Sequence, residues 1–157
     1  MTAPEITAIV FDIGDTLVHA APAGTAVTDL VVDPIGTAVA DLEALSADYR
    51  IGAVTDTSVM TEADVRALLG PCGLDALLEV VVTSVDVGAA KPDPRGLRLA
   101  MRRLGVEPSA TLFVGDADVD AGAAEAAGTH FARTDGRSPG LVVAEFLDRS
   151  SPDGVPD

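Results

Sequence analysis

Short apolar runs alternate with amphipathic stretches along most of the chain, which predicts a mostly parallel β-sheet covered by helices on both faces. Five apolar runs have the length and the branched residues typical of buried strands. They cover residues 6–13, 50–55, 80–84, 111–114 and 130–133. Helical spacing follows at residues 34–47, after a cap at Asp33, and at 61–69, capped by Thr61. Further helices are predicted at residues 94–104, 119–127 and 140–148.

Two segments depart from this alternation. Residues 17–20 and 26–32 predict a β-hairpin flap after the first strand, with a loose turn between its two strands. Residues 151–157 have no periodicity and predict a disordered tail. Residues 1–150, including the hairpin, are predicted to form a single α/β domain of three layers.

The chain is strongly acidic, with 25 aspartates and glutamates, 10 lysines and arginines, and a formal net charge of −15. This charge repels nucleic acids and anionic membranes, so neither is expected as a partner. No apolar run is long enough to cross a bilayer, and the sequence starts without a basic segment followed by an apolar one. We therefore expect a cytoplasmic protein.

Polar side chains stand where the predicted strands end. Asp12 closes the first strand, Thr55 the second and Asp116 the fourth, with Asp120 four residues further on. The carboxyl ends of parallel strands meet at one edge of a sheet, where open α/β folds bind their ligands. Clustered carboxylates at that edge predict a divalent cation. Lys91, the only lysine, adds an ammonium that can contact a phosphoryl oxygen and a carboxylate at once.

The order of these residues resembles the haloacid dehalogenase superfamily of aspartate-nucleophile phosphohydrolases. Four motifs carry the resemblance, which spans most of residues 6–147. They are Phe11-Asp12-Ile13-Gly14-Asp15-Thr16-Leu17, Thr55, Lys91-Pro92, and Gly115-Asp116-Ala117-Asp118-Val119-Asp120. The resemblance implies a Rossmann-like core whose five strands lie in the order 5-4-1-2-3.

The resemblance also implies a magnesium site and a nucleophile. Asp12 would attack phosphorus to form an aspartyl-phosphate, and it would bind Mg²⁺ together with Asp116 and the carbonyl of Gly14. Asp120 would complete the acidic group, mainly by orienting Lys91 or a metal-bound water. Acids are also favoured in the first turn of a helix, which is an alternative explanation for Asp120. The implied function is Mg²⁺-dependent phosphate ester hydrolysis.

Substrate contacts are implied for three further positions. Thr55 would hold a phosphoryl oxygen, and Lys91 would neutralise charge on the transferring group. Asp56 stands where the family often has asparagine, so its carboxylate would add negative charge beside the bound phosphate.

Gly14 is the main departure from the family pattern. Most phosphatases of the family have an aspartate at this position that acts as general acid and base, and here Gly14 and Asp15 have exchanged places. Asp15, or His19 on the predicted hairpin, is a candidate substitute. The sequence therefore predicts a preference for good leaving groups, such as aryl phosphates. A non-catalytic binding or regulatory module and a metal-free, dehalogenase-type hydrolase remain as alternatives.

The spacing of the motifs leaves little room for a cap domain. About 38 residues separate Thr16 from Thr55, and the predicted hairpin and one helix account for them. We therefore expect no cap and an open site, which a homo-oligomer could cover. A phosphorylated small molecule or a phosphoprotein is the expected substrate.

Overall fold

Five parallel strands form one sheet in the order β3-β2-β1-β4-β5. The structure is a computed structural model, and it describes residues 5–150. The strands are β1 (Ala8–Phe11), β2 (Arg50–Thr55), β3 (Val80–Thr83), β4 (Thr111–Gly115) and β5 (His130–Arg133). This is the predicted strand order read from the opposite edge, so the predicted fold class is confirmed. The predicted tail at residues 151–157 lies outside the described residues.

Six helices cover the two faces of the sheet. They are α1 (Ala38–Leu45), α2 (Glu62–Leu69), α3 (Ser84–Val87), α4 (Arg95–Leu104), α5 (Asp118–Ala127) and α6 (Pro139–Ser150). Alternate residues of β1 point to opposite faces, as the pleat of a strand requires. Ile9 and Phe11 pack in the cluster that includes α1, α2 and α6, whereas Ala8 and Val10 pack against α4 and α5. None of the helices within residues 5–150 is both long and apolar enough to span a bilayer.

The segment between β1 and α1 differs from the prediction. The strands predicted at residues 17–20 and 26–32 are absent, and a short 3₁₀ turn (Val27–Asp29) lies in their place. Antiparallel pairing is limited to the base of the segment, where Val18 bridges Pro34. Val31 is 85% exposed, whereas Val18 and Val32 of the same segment pack against the core. The hairpin prediction is wrong because residues that favour strands do not by themselves form a hydrogen-bonded pair of strands.

The first helix also begins later than predicted. Helix α1 starts at Ala38 after Thr37, not at Pro34 after a cap at Asp33. Gly36 adopts a φ of +49°, which interrupts a right-handed helical path at that point. The prediction for the second helix is confirmed, since the hydroxyl of Thr61 accepts from the backbone N–H of Asp64.

Candidate active site

The polar strand ends meet at one edge of the sheet, as the sequence predicts. Asp12 follows β1, Thr55 ends β2 and Asp116 follows β4. Strands β1 and β4 are direct neighbours, and the backbone N–H of Asp12 donates to the carbonyl of Val114 at 2.9 Å. This register brings Asp12 and Asp116 side by side.

Lys91 lies between two buried carboxylates. Its Nζ is 2.8 Å from Oδ1 of Asp12 and 2.7 Å from Oδ1 of Asp120. All three residues are buried, with exposed fractions of 7% for Asp12, 7% for Lys91 and 1% for Asp120. Burial alone would lower the pKa of Lys91, but Asp12 and then Asp120 outweigh burial and raise it. The ammonium therefore stays charged.

Two neighbours fix the position of Lys91. Oδ1 of Asp56 accepts a hydrogen bond from the backbone N–H of Lys91 at 3.2 Å. The ammonium also lies 5.6 Å from the centre of the Phe113 ring, within the range of a cation–π contact. Asp56, where the family often has asparagine, thus anchors the loop that carries Lys91, a role that the sequence alone did not suggest.

Asp120 has two roles at once. Its Oδ2 accepts hydrogen bonds from the backbone N–H groups of Asp116 and Ala117, both at 3.1 Å, and its Oδ1 pairs with Lys91. Asp120 therefore makes both the contact with the start of α5 and the contact with Lys91 that the two explanations of this residue require. A Cβ on Gly115 would lie 2.5 Å from Cγ of Asp120. Glycine at that position is what allows the close approach of Asp120.

Thr16 lies in the site, although sequence reasoning assigned it no role. It is fully buried, and its Oγ1 lies 3.3 Å from Oδ2 of Asp12 and 3.3 Å from Oδ1 of Asp116. A hydroxyl has one proton, so it can donate to only one of these carboxylates at a time. Thr16 therefore links Asp12, four positions before it, to Asp116, 100 positions after it.

The acidic cluster fits a divalent cation that prefers oxygen ligands. Asp12, Asp116 and Asp120 each offer a carboxylate oxygen, and these oxygens lie within 4.8 Å of one another. Burial raises the pKa of Asp12 to about 7, although the charge of Lys91 opposes this shift. Three carboxylates share one ammonium, so a cation would balance charge that the protein leaves uncompensated. Both oxygens of Asp120 already have protein partners, which makes Asp12 and Asp116 the better ligands.

The residues considered as a substitute acid lie on the turn after Asp12. Asp15 adopts a left-handed φ of +60°, and its Oδ1 accepts from the backbone N–H of Ala20 at 3.0 Å. His19 is exposed, with Nε2 4.0 Å from Oδ2 of Asp33. A Cβ on Gly14 would meet only Cβ of Ala20, at 3.8 Å, so this position has room for a side chain.

Two cavities adjoin the site. The first, of about 300 Å³, is bordered by Gly14, Thr55 and Asp56 and by apolar residues of the 18–32 segment and α2. The second, of about 360 Å³, is bordered by Asp15, Asp116 and five other residues. Thr55 therefore faces a cavity, whereas Lys91 and Asp120 are buried behind the strand ends.

Similarity to known proteins agrees with this geometry. The family described as haloacid dehalogenase-like hydrolase matches residues 25–128, about two thirds of the chain. The protein therefore belongs to the haloacid dehalogenase-like hydrolases. Asp12 lies before the matched residues, so its assignment rests on the geometry around it.

Individual relatives point in the same direction. The chain is 37% identical to the pyrophosphatase PpaX of Bacillus velezensis, over 71% of this chain and 49% of that protein. It is 37% identical to a phosphoglycolate phosphatase of Pectobacterium atrosepticum, over 59% of this chain and 38% of that protein. The chain thus spans about half or less of these relatives. The crystal structure of a hydrolase of this superfamily from Ehrlichia chaffeensis has the same fold, with a TM-score of 0.74 and 15% sequence identity. The match covers 96% of this chain and 98% of that chain.

Magnesium is expected to stabilise the folded protein. At about 100 times its dissociation constant, a ligand of the folded state raises the melting temperature of a domain of this size by about 5–10 °C. Asp116→Asn should lose most of this rise, whereas Asp118→Asn should keep it, because the Asp118 side chain is 98% exposed. Differential scanning fluorimetry with and without MgCl₂ measures the shift. Equal shifts in the two variants would contradict the assignment of Asp116.

Gly115→Ala is expected to displace Asp120. The new Cβ would overlap the Asp120 carboxylate, and overpacking of this kind costs about 1–3 kcal/mol of stability. Gly70→Ala is the matched control, because a Cβ there meets nothing within 4 Å and its φ of −54° suits alanine. Urea unfolding measures both variants. Wild-type stability of Gly115→Ala would show that Asp120 does not need its present position.

Proposed function

We propose that the protein is a Mg²⁺-dependent phosphatase that works through an aspartyl-phosphate on Asp12. The observation that carries this proposal is a buried Asp12 carboxylate held by Lys91, next to the converging carboxylate of Asp116. The names of the phosphatase relatives support the same reaction class. The substrate we propose is a phosphorylated small molecule.

The reaction would proceed in two displacements at phosphorus. First, an Asp12 oxygen forms a bond to phosphorus while the bond to the leaving alcohol breaks, and the leaving oxygen takes up a proton. Second, water attacks phosphorus, inorganic phosphate departs and the Asp12 carboxylate is restored. The net reaction consumes one water for each ester hydrolysed.

The surrounding residues would bind and neutralise the phosphoryl group. Mg²⁺, when bound by Asp12, Asp116 and the carbonyl of Gly14, supplies positive charge next to the transferring oxygens. The Lys91 ammonium supplies a second positive charge, and the hydroxyl of Thr55 would donate to a phosphoryl oxygen. Asp120 would act through Lys91 as a positioning residue.

A non-catalytic binding module is the second candidate function. Gly14 favours this candidate, because glycine has no group that can protonate a leaving alcohol. The carboxylate of Asp15 already accepts a hydrogen bond from the backbone N–H of Ala20. A metal-free, dehalogenase-type hydrolase is less compatible with the geometry. Without a cation, the carboxylates of Asp12, Asp116 and Asp120 would share the single ammonium of Lys91. The absence of a cap, a phosphoprotein substrate and an oligomer that covers the site stay predictions of the sequence.

Asp12→Asn tests the proposed function. We expect wild-type protein to release phosphate from phenyl phosphate with Mg²⁺, and to stop when the metal is chelated. The variant should lose activity by about a thousandfold or more, because an amide cannot act as the nucleophile. Asp118→Asn is the control and should retain activity. Activity that survives both Asp12→Asn and chelation would contradict the proposal, and a fully inactive wild-type protein would favour the binding module.

Gly14→Asp tests the missing acid. Wild-type protein should hydrolyse phenyl phosphate much faster than butyl phosphate, because an alkoxide leaving group needs a proton donor. The variant has room for its side chain and should gain about 10²–10⁴ in rate on butyl phosphate, with a smaller gain on phenyl phosphate. Steady-state rates on both esters measure the effect. Equal rates of the wild-type protein on the two esters, together with no gain on butyl phosphate in Gly14→Asp, would contradict the loss of a general acid at Gly14.

A further inference from the structure

The first cavity adjoins two positions of the proposed site. Thr55, which would hold a phosphoryl oxygen, and Gly14, which stands at the usual position of the acid that protonates the leaving group, both line it. A group bonded to a phosphoryl held at Thr55 would extend past Gly14 into this space. The volume of about 300 Å³ lies at the lower end of the range for small-molecule pockets.

The wall of this cavity is mainly apolar. One side comes from the segment before α1, with Val18 and Val32, and the other from α2 and the loop before it, with Met60 and Leu68. A hydrocarbon group that enters this cavity leaves water and contacts apolar atoms, which favours binding.

The cavity offers no strong partner for an anion. No lysine or arginine is among the described residues that line it, and the carboxylate of Asp56 lies at its border. His19 is the only basic side chain in that set, and its Nε2 lies 4.0 Å from Oδ2 of Asp33. A charged leaving group would lose its hydration here without gaining an ion pair.

The second cavity does not compensate for this lack. Three acids line it, Asp15, Asp116 and Asp135, against the single guanidinium of Arg137. That guanidinium is already paired with the carboxylate of Glu145. An anionic leaving group would therefore meet net negative charge on this side of the site as well.

On the basis of the proposed function, we propose that the first cavity binds the leaving group, and that the substrates are phosphate monoesters of uncharged, apolar phenols or alcohols. This class differs from the compounds in the names of the relatives, since pyrophosphate and phosphoglycolate each carry a second anionic group. Specificity on this side would come from the 18–32 segment and α2.

A matched pair of esters tests the proposal by rate. 4-Butylphenyl phosphate and 4-(3-carboxypropyl)phenyl phosphate have the same reacting bond and closely similar leaving-group acidity, and they differ in a distal carboxylate. We expect kcat/KM for the butyl ester to exceed that of phenyl phosphate by about tenfold or more, and the carboxylate to remove this gain. Equal kcat/KM for the two substituted esters would overturn the proposal.

Val59→Lys provides a specificity switch. Val59 lines the cavity and is 63% exposed, so a lysine there would add charge at the mouth without entering the core. The variant should raise kcat/KM for the carboxylated ester about tenfold relative to the butyl ester. Leu141→Lys is the matched control, because Leu141 is 50% exposed on α6 and does not line the cavity. Leu141→Lys should keep the wild-type ratio of kcat/KM between the two esters. An unchanged ratio in Val59→Lys would contradict the assignment of the cavity to the leaving group.

Binding of the free phenols separates this proposal from the proposed function. Titration calorimetry with 4-butylphenol and with 4-(4-hydroxyphenyl)butanoate requires no hydrolysis. We expect the first to bind at least tenfold more tightly, and Val59→Lys to reduce that difference. Hydrolysis of phenyl phosphate with no preference between the phenols would overturn the cavity assignment alone. A clear preference without hydrolysis would leave the cavity in place and contradict the phosphatase.

Discussion

The ammonium of Lys91 between the carboxylates of Asp12 and Asp120 is the interaction on which the site depends. A buried ion pair is stable only when its partners are fully hydrogen-bonded and well placed, and removal of one partner leaves an expensive unpaired charge. Hydrogen bonds that involve the backbone hold the partners of this ion pair in place. Asp56 holds the Lys91 main chain, and two N–H groups at the start of α5 hold Asp120. With these contacts in place, the excess negative charge lies on Asp12 and Asp116, where a divalent cation would balance it.

Much of the fold follows from local sequence patterns. The strand ends that carry Asp12, Thr55 and Asp116 could be predicted because parallel, doubly covered strands are continuous apolar runs, and their ends are marked by polar residues. The segment after β1 could not, because its valines and threonines favour strand locally, whereas the tertiary structure pairs only the base of the segment, between Val18 and Pro34. There, Val31 remains exposed to solvent.

Sequence reasoning predicted which residues lie in the site better than it predicted the contacts between them. Thr16 stands in a recognised motif, but its link between Asp12 and Asp116 appears only when β1 and β4 are neighbours. Asp56 looked unfavourable for phosphate binding, yet its carboxylate anchors the backbone of Lys91. The apolar cavity likewise forms from segments distant in sequence, so no single motif could reveal it.

Detection of a phosphorylated Asp12 would show whether the reaction passes through an aspartyl-phosphate. The protein would be mixed with Mg²⁺ and phenyl phosphate, quenched rapidly in acid and digested, and the peptides would be examined by mass spectrometry. We expect one phosphoryl group on the peptide that contains Asp12, and no such group in Asp12→Asn. Phosphate release without any label on that peptide, or a label on another residue, would contradict this expectation.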